Sequence, residues 1–204
     1  MRKSDLIQME NKYGVYYLTK EKFFHGLKRR EQRDELSKTQ AVMPLIRDCA
    51  DLILRLEAKE NLLHDGNGDL IGSTERRYLL DEMIGKRSPW RAENLDNEFH
   101  LVNGVWIMNY NFRKVNGAYK FEGKEISPLS ENGYITLNDL DKEGLAKKVG
   151  NGPIFYYHPG KDSSSWFGAG SGGADLSCGG SPSGSGWALA VRAKFLSLPE
   201  DIEK

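Results

Sequence analysis

The chain reads as an α+β protein, with helices in its first half and antiparallel hairpins in its second. Three observations predict this. Val42, Leu45, Ile46, Cys49, Leu52, Ile53 and Leu56 recur at helical spacing. From about Glu98 the period drops to two, with Phe99 and Leu101, Val105 and Ile107, and Tyr119 and Phe121 alternating against polar neighbours. Asn103-Gly104 and Asn116-Gly117 then read as hairpin turns, because both residue types tolerate the positive φ of a type I′ turn. Helices followed by hairpins is an α+β order. At 204 residues one compact domain is expected, with residues 1–95 as its helical part and 96–204 as its sheet part.

The elements follow in order. Ser4-Asp5-Leu6 predicts a short helix that Gly14 closes. Val15 to Leu18 is a brief strand. Thr19 reads as an N-cap, with Lys22-Phe23-Phe24 entering a second helix. In Leu27 to Lys38, Glu31, Asp34 and Glu35 interleave with Lys28, Arg29, Arg30 and Arg33. That cancellation predicts a solvated face rather than a basic patch. The apolar stripe predicts the strongest helix over residues 39–60, packed on the sheet. Asp65, Asn67 and Asp69 stand like the start of an EF-hand loop, but Leu70 and Arg76 occupy the places of its glycine and its bidentate glutamate. A turn is expected there. Ser73 or Thr74 caps a helix through Ile84, which Gly85 ends. Short strands are expected over residues 134–137, 154–157 and 187–195, with Asn138 capping a helical turn that ends at Gly144.

Composition excludes several functions. Acidic and basic residues number 29 each, which argues against a broad nucleic-acid or membrane footprint. No run of about 18 apolar residues exists to span a membrane. No signal peptide is evident, so synthesis in the cytoplasm is expected, and a virion component fits equally well. Cys49 and Cys178 lie too far apart to form a secreted disulfide framework and are expected as buried thiols. His25, His64, His100 and His158 show no metal-ligand spacing. No metal and no cofactor is expected.

The segment over residues 160–192 stands apart. Its first 28 residues hold nine Gly and eight Ser. A flexible linker would have that composition but no reason to keep a Trp-Phe pair, a Leu-x-Cys step and an apolar end. The segment therefore reads as ordered backbone with anchors pointing in and small side chains pointing out. Gly168-x-Gly170-x-x-Gly173 has the letters of a dinucleotide fingerprint, yet nothing after it can start the helix that holds a pyrophosphate. Ala169 to Gly173, with Ser171 at the centre, falls short of a nucleophile elbow for the same reason.

The spacing Trp166-Phe167-x-Ala169-x-Ser171-x-x-Ala174-x-Leu176-x-Cys178-x-x-x-Pro182-Ser183, followed by Leu189-x-Val191-Arg192, resembles a known pattern. It is that of the C-terminal variable region of proteins diversified by diversity-generating retroelements, in particular the archaeal and viral type. The resemblance reaches back through Phe155-Tyr156-Tyr157-His158-Pro159 and Tyr134 to Gly144, and more loosely to Asp96. The family often ends its last strand Leu-Gly-Val-Arg, where this chain has Leu189-Ala190-Val191-Arg192. The resemblance implies a C-type-lectin-like fold and adenine-directed mutagenesis of chosen codons. It implies a ligand-binding protein, not an enzyme, with no catalytic residues and with a protein or glycan of a cell or virus surface as partner.

The ligand surface so implied comprises Trp166, Gly168, Gly170, Gly172, Gly173, Asp175 and Ser177, continuing through Gly179, Gly180, Ser181, Gly184, Ser185, Gly186 and Trp187. Phe167, Ala169, Ala174, Leu176, Cys178, Leu189 and Val191 are the anchors beneath it. Trp166 and Trp187 are its only large residues, which predicts weak or narrow binding. Calcium-dependent sugar binding is not expected, because Glu-Pro-Asn and Trp-Asn-Asp motifs are missing. Two other readings stay open: an enzyme of the formylglycine-generating type, which needs reactive cysteines near one another, and a structural subunit with a packing loop.

Overall fold

The computed structural model describes residues 1–58, 62–185 and 188–199. Helices and sheets are both present, as the α+β reading requires. After one 3-10 turn at Lys3–Asp5 the chain forms an antiparallel pair, β1 (Leu6–Asn11) and β2 (Gly14–Thr19), where a helix was expected over residues 4–14. The reason is burial on two sides. Ile7, Met9, Tyr16 and Leu18 enter the main core, while Leu6 enters a second, smaller core. A helix buries one stripe, whereas successive residues of a strand point to opposite faces.

The helix expected after Thr19 is also absent. The Thr19 hydroxyl donates to the Glu21 carbonyl at 2.8 Å and accepts the Ala193 amide at 3.0 Å instead of capping. Phe23 exchanges backbone hydrogen bonds with Val191 at 2.8 and 3.0 Å. The next helix is α1 (Arg29–Lys38), whose first turn begins with the Lys28 amide donating to the Glu31 carboxylate at 2.8 Å. The solvated face that the sequence predicts here is corrected: Arg29, Gln32 and Arg33 are buried, because β3 draws them in.

The long apolar stripe forms α2 (Ile46–Glu57), and Cys49, Leu52, Ile53 and Leu56 lie in the main core as expected. It starts seven residues later than the stripe suggested. Pro44 restrains the residue before it to extended backbone, and Val42 exchanges hydrogen bonds with Lys194 at 2.9 Å in both directions. Asp48 caps the start, accepting the Leu45 amide at 2.9 Å. The expected end of this helix, at residues 59 and 60, lies outside the described residues. In the following turn the Asp65 carboxylate accepts the amides of Asn67 and Asp69 at 2.8 and 3.1 Å, so it closes a turn, as expected. Helix α3 (Ser73–Ile84) follows, preceded by Gly72 without a side-chain cap and ended at Gly85.

The large sheet is built from β3 (Arg91–Val102), β4 (Val105–Val115), β5 (Ala118–Ile126), β6 (Gly133–Ile135), β7 (Ile154–Tyr157), β8 (Ser163–Gly170) and β9 (Gly173–Gly180). Their order is β5-β4-β3-β8-β9-β7-β6, with β10 (Leu189–Ala190) added parallel to β3. Both expected hairpin turns form, with φ of 51° and 83° at Asn103-Gly104 and 51° and 78° at Asn116-Gly117. Between β6 and β7, Thr136 opens a 3-10 turn over Leu137–Asp139, a little ahead of the expected cap at Asn138. The single strand expected over residues 187–195 is broken. β10 joins the large sheet, and β11 (Lys194–Phe195) crosses to pair with β2 in the small sheet β1-β2-β11. Opposite ends of the chain thus share one sheet, and position 95/96 falls inside β3 rather than at a boundary.

A bulge in β3 fastens the two halves. Register shifts between Asn94 and Glu98, so Leu95, Asp96 and Asn97 leave the ladder with β8. Arg29 fills the gap: its guanidinium donates to the carbonyls of Leu95 and Ser165 and to the Asn94 side chain. Asp96 accepts Arg33 Nε at 2.8 Å and the Phe112 amide at 2.8 Å. Asn97 accepts the Ile46 amide at 2.9 Å, at the start of α2. Arg33 also reaches Glu98 at 2.5 Å and lies 3.6 Å over the Phe112 ring. The polar run Glu93 to Glu98 is therefore the internal ligand set of a strand, which its composition hid.

Candidate functional site

The Gly/Ser-rich segment occupies the middle of the large sheet. β8 and β9 form a hairpin turning at Ser171-Gly172, with registers Trp166↔Ser177, Phe167↔Leu176, Gly168↔Asp175 and Ala169↔Ala174. Side chains alternate across a strand. Phe167, Ala169, Ala174, Leu176 and Cys178 therefore point to the helix side, where each is 5% exposed or less. Trp166, Gly168, Gly170, Asp175 and Ser177 share the opposite face. Val191 is fully buried and Leu189 half-buried. The turn is followed by a strand, so neither the dinucleotide fingerprint nor the nucleophile elbow has its helix.

Not every position of the expected surface is open. Gly172, Gly179, Ser181 and Ser185 are exposed, and Trp166, Gly173, Asp175, Gly180 and Gly184 half-buried; Ser171, a fixed position of the pattern outside that surface, is exposed as well. Gly168, Gly170 and Ser177 are buried, which corrects the expectation of exposure there. The cause at the glycines is close packing. A Cβ on Gly168 would stand 2.7 Å from the Ala92 Cβ and 2.8 Å from the Arg91 carbonyl oxygen. On Gly170 it would meet the Trp90 ring at 3.0 Å, and on Gly180 the Trp166 ring at 2.8 Å. Gly186 and Trp187 lie outside the described residues.

The same face carries aromatic residues that the spacing pattern did not single out as ligand-facing. In the parallel pairing of β7 with β9, Phe155 stands beside Asp175 and Tyr157 beside Ser177; in β6, Tyr134 stands beside Phe155. The ring pairs Tyr134–Phe155 and Phe155–Tyr157 meet edge-on at 5.1 and 4.8 Å. Across the Gly168 strip, Trp90 and Trp166 meet at 5.1 Å with planes 85° apart. Tyr134 is 51% exposed and Tyr157 40%, so these rings line an open surface rather than a core. The signal that could have found them is the period-two alternation of Tyr134, Phe155 and Tyr157 with buried Ile135, Ile154 and Tyr156.

Asp175 is the acidic centre of this face. Burial alone pushes its carboxyl above the ordinary range, with no cation acting on it. His158, at the end of β7, is tied down locally: its amide donates to Asn132 at 2.9 Å and its Nδ1 lies 2.9 Å from the Pro159 carbonyl. Both cysteines are buried, Cys49 on α2 and Cys178 beneath β9. Burial pushes both thiols up, Cys178 to about 12. Among the described residues no group of three or more His, Cys, Asp and Glu is placed to hold a metal, and no helix is long and apolar enough to cross a membrane. A concavity of about 230 Å³ between the ends of α2 and α3 and Pro153-Ile154 lies on the helix side, away from this face. Compared with known proteins, the chain matches no protein-family profile, no curated protein and no solved structure.

Proposed function

We propose that the chain is a ligand-binding protein of C-type-lectin-like fold, whose outer β8–β9 face and adjoining loop are diversified by adenine-directed mutagenesis. One observation carries this reading. Of the fixed apolar positions of the variable-region pattern in β8 and β9, Phe167, Ala169, Ala174, Leu176 and Cys178 point into the core, and Trp166 alone stands on the outer face. The positions that hold Gly, Ser and Asp point away from it or lie in turns. Such a division lets exposed residues change while the frame persists, since surface substitutions away from packed features shift stability by only about 0.5 kcal/mol. A protein or glycan of a cell or virus surface is the partner class the reading favours.

The experiment is to sequence the DNA around the gene. The expected result is a near-copy of the segment encoding residues 160–192, differing from it mainly where the copy has adenine, beside a reverse-transcriptase gene. A replicon with no such copy would remove the main support for diversification and leave the small residues to a packing explanation.

Nothing in the cysteine environment favours the formylglycine-generating alternative. Thiolate is the reactive form, and both thiols are buried and pushed up. A disulfide exchange reagent at pH 8 is therefore expected to leave both cysteines unmodified in the folded protein and to react with two thiols after denaturation. Rapid stoichiometric modification of the native protein would revive the enzyme reading.

A further inference from the structure

The outer face described above has a charge with no counter-charge. Asp175 has no hydrogen bond and no ion pair among the described residues, while the buried carboxylates Asp48, Asp65, Glu93 and Asp96 are each hydrogen-bonded or paired. Its cross-strand neighbour on one side is Gly168, which offers no side chain; on the other side is Phe155. Beyond these stand Tyr157 and Trp166, one residue pair further along the strands. A carboxylate beside one exposed and two half-buried aromatic rings is the chemistry that holds an ammonium group: the carboxylate supplies the charge, and the rings attract a cation through their quadrupole.

We infer that Asp175, with Phe155, Tyr157 and Trp166, forms a subsite for the ammonium head of a lysine side chain on a partner protein. The inference rests on the outer face being the ligand surface proposed above and names the chemistry of what it takes. A sugar fits less well. Saccharide recognition needs several donors and acceptors around the ring, and beside the Asp175 carboxylate this part of the face adds only the Tyr157 hydroxyl and the Trp166 indole N–H, amid glycines and a buried serine. An acidic peptide would meet Asp175 with a like charge. A lysine also matches the shape of the strip, because its methylene stem can lie along the rings while its head stays partly solvated.

The test uses the whole protein, labelled for amide NMR at neutral pH and fixed ionic strength. The probes are N-acetyl-lysine-N-methylamide, its uncharged analogue N-acetyl-norleucine-N-methylamide, and methyl glucoside. The lysine probe is expected to shift the amides of Phe155, Tyr157, Asp175 and Ser177 saturably, on the order of tenfold more tightly than norleucine, a factor that corresponds to about 1.4 kcal/mol. Asp175→Asn keeps the shape and removes the charge, so it should erase the difference between the two probes. Phe155→Leu should weaken the lysine probe several-fold while leaving the amide spectrum of the sheet folded.

Equal shifts from lysine and norleucine would mean an apolar strip without charge selection and would overturn the inference. So would stronger shifts from methyl glucoside, or no shift at these amides from any probe. None of these outcomes bears on the adenine-directed template copy, so a failed subsite and a failed variable surface are told apart by the two experiments.

Discussion

Arg192→Met is expected to destabilise the fold by about 3–5 kcal/mol, the cost of leaving a buried charge without its partner. Arg192 and Glu93 are each 2% exposed, with Nε 3.0 Å from Oε2. The Nε–H is not aimed along that line, so the contact is ionic rather than a directed hydrogen bond. The guanidinium also donates through Nη1 to the carbonyls of Thr19, at 2.9 Å, and Lys20. It therefore ties β3 of the large sheet to the exit of β2 in the small one. Removing it strands the Glu93 carboxylate, with the Cys49 sulfur 3.8 Å from Oε1. Lys22 is another cation near enough to act on Glu93, and burial pushes its own ammonium down. Against a typical total of about 5–15 kcal/mol, the variant should lie close to unfolding.

Urea denaturation followed by tryptophan fluorescence measures this. The double variant Arg192→Met with Glu93→Met should recover part of the loss, because apolar replacement of a whole buried pair is often neutral or better. Recovery should stay incomplete by about 1–3 kcal/mol, since the carbonyls of Thr19 and Lys20 keep no donor. A single-variant loss below about 1 kcal/mol would mean that water reaches Glu93 and that the pair is not sealed, because exposed pairs contribute only that much.

This pair also marks how far the sequence was legible. The alternation within residues 160–192 was readable, because apolar and small residues there follow a period of two and nothing competes with it. The helix stripe from Cys49 to Leu56 and the two Asn-Gly hairpins were readable for the same reason: the local signal and the tertiary demand agree. The first strand was misread because Leu6 serves one core and Ile7 and Met9 the other, so the apolar residues at its start fall on both faces. The polar run Glu93 to Glu98 was passed over as part of a strand. Its carboxylates, amides and carbonyls are satisfied by Arg192, Arg29, Arg33 and the start of α2, partners 51 or more residues away in the chain. Charge cancellation in α1 was real in the sequence but did not imply solvation, because Arg33 pairs with Asp96 and Glu98 of β3 and Arg29 donates to Leu95 and Asn94 of the same strand, rather than to their own helix. Of the candidate site, the positions within β8 and β9 could be read. The rings brought from β6, β7 and Trp90 required the sheet order, which no local period encodes.

The second large effect is expected within the variable segment itself. Gly168→Ala should cost about 1–3 kcal/mol, the range for forcing extra atoms into a packed site. Both obstacles to its Cβ belong to β3, one a backbone oxygen and the other a side chain with no freedom to turn away. Relief requires moving a strand held between β8 and β10. Gly172→Asn is the contrast. Nothing lies within 4 Å of a Cβ there and its backbone is not left-handed, so a change within about 0.5 kcal/mol is expected. Ser171→Tyr and Ser185→Tyr should behave likewise, being exposed. Thermal melts of the four variants check the ranking. Gly168→Ala melting with the wild type would mean that β3 and β8 separate easily and that the whole face is free to vary. The expected ranking instead divides the surface. Freely mutable positions gather at the 171–172 turn and in the loop from Ser181 to Ser185, about 25 Å apart across the eight residues of β9. Between them a strip paved by Gly168 and Gly170 stays fixed, with Asp175 at its edge. On the proposed reading, diversification under that constraint would change the two ends of the face and preserve its floor.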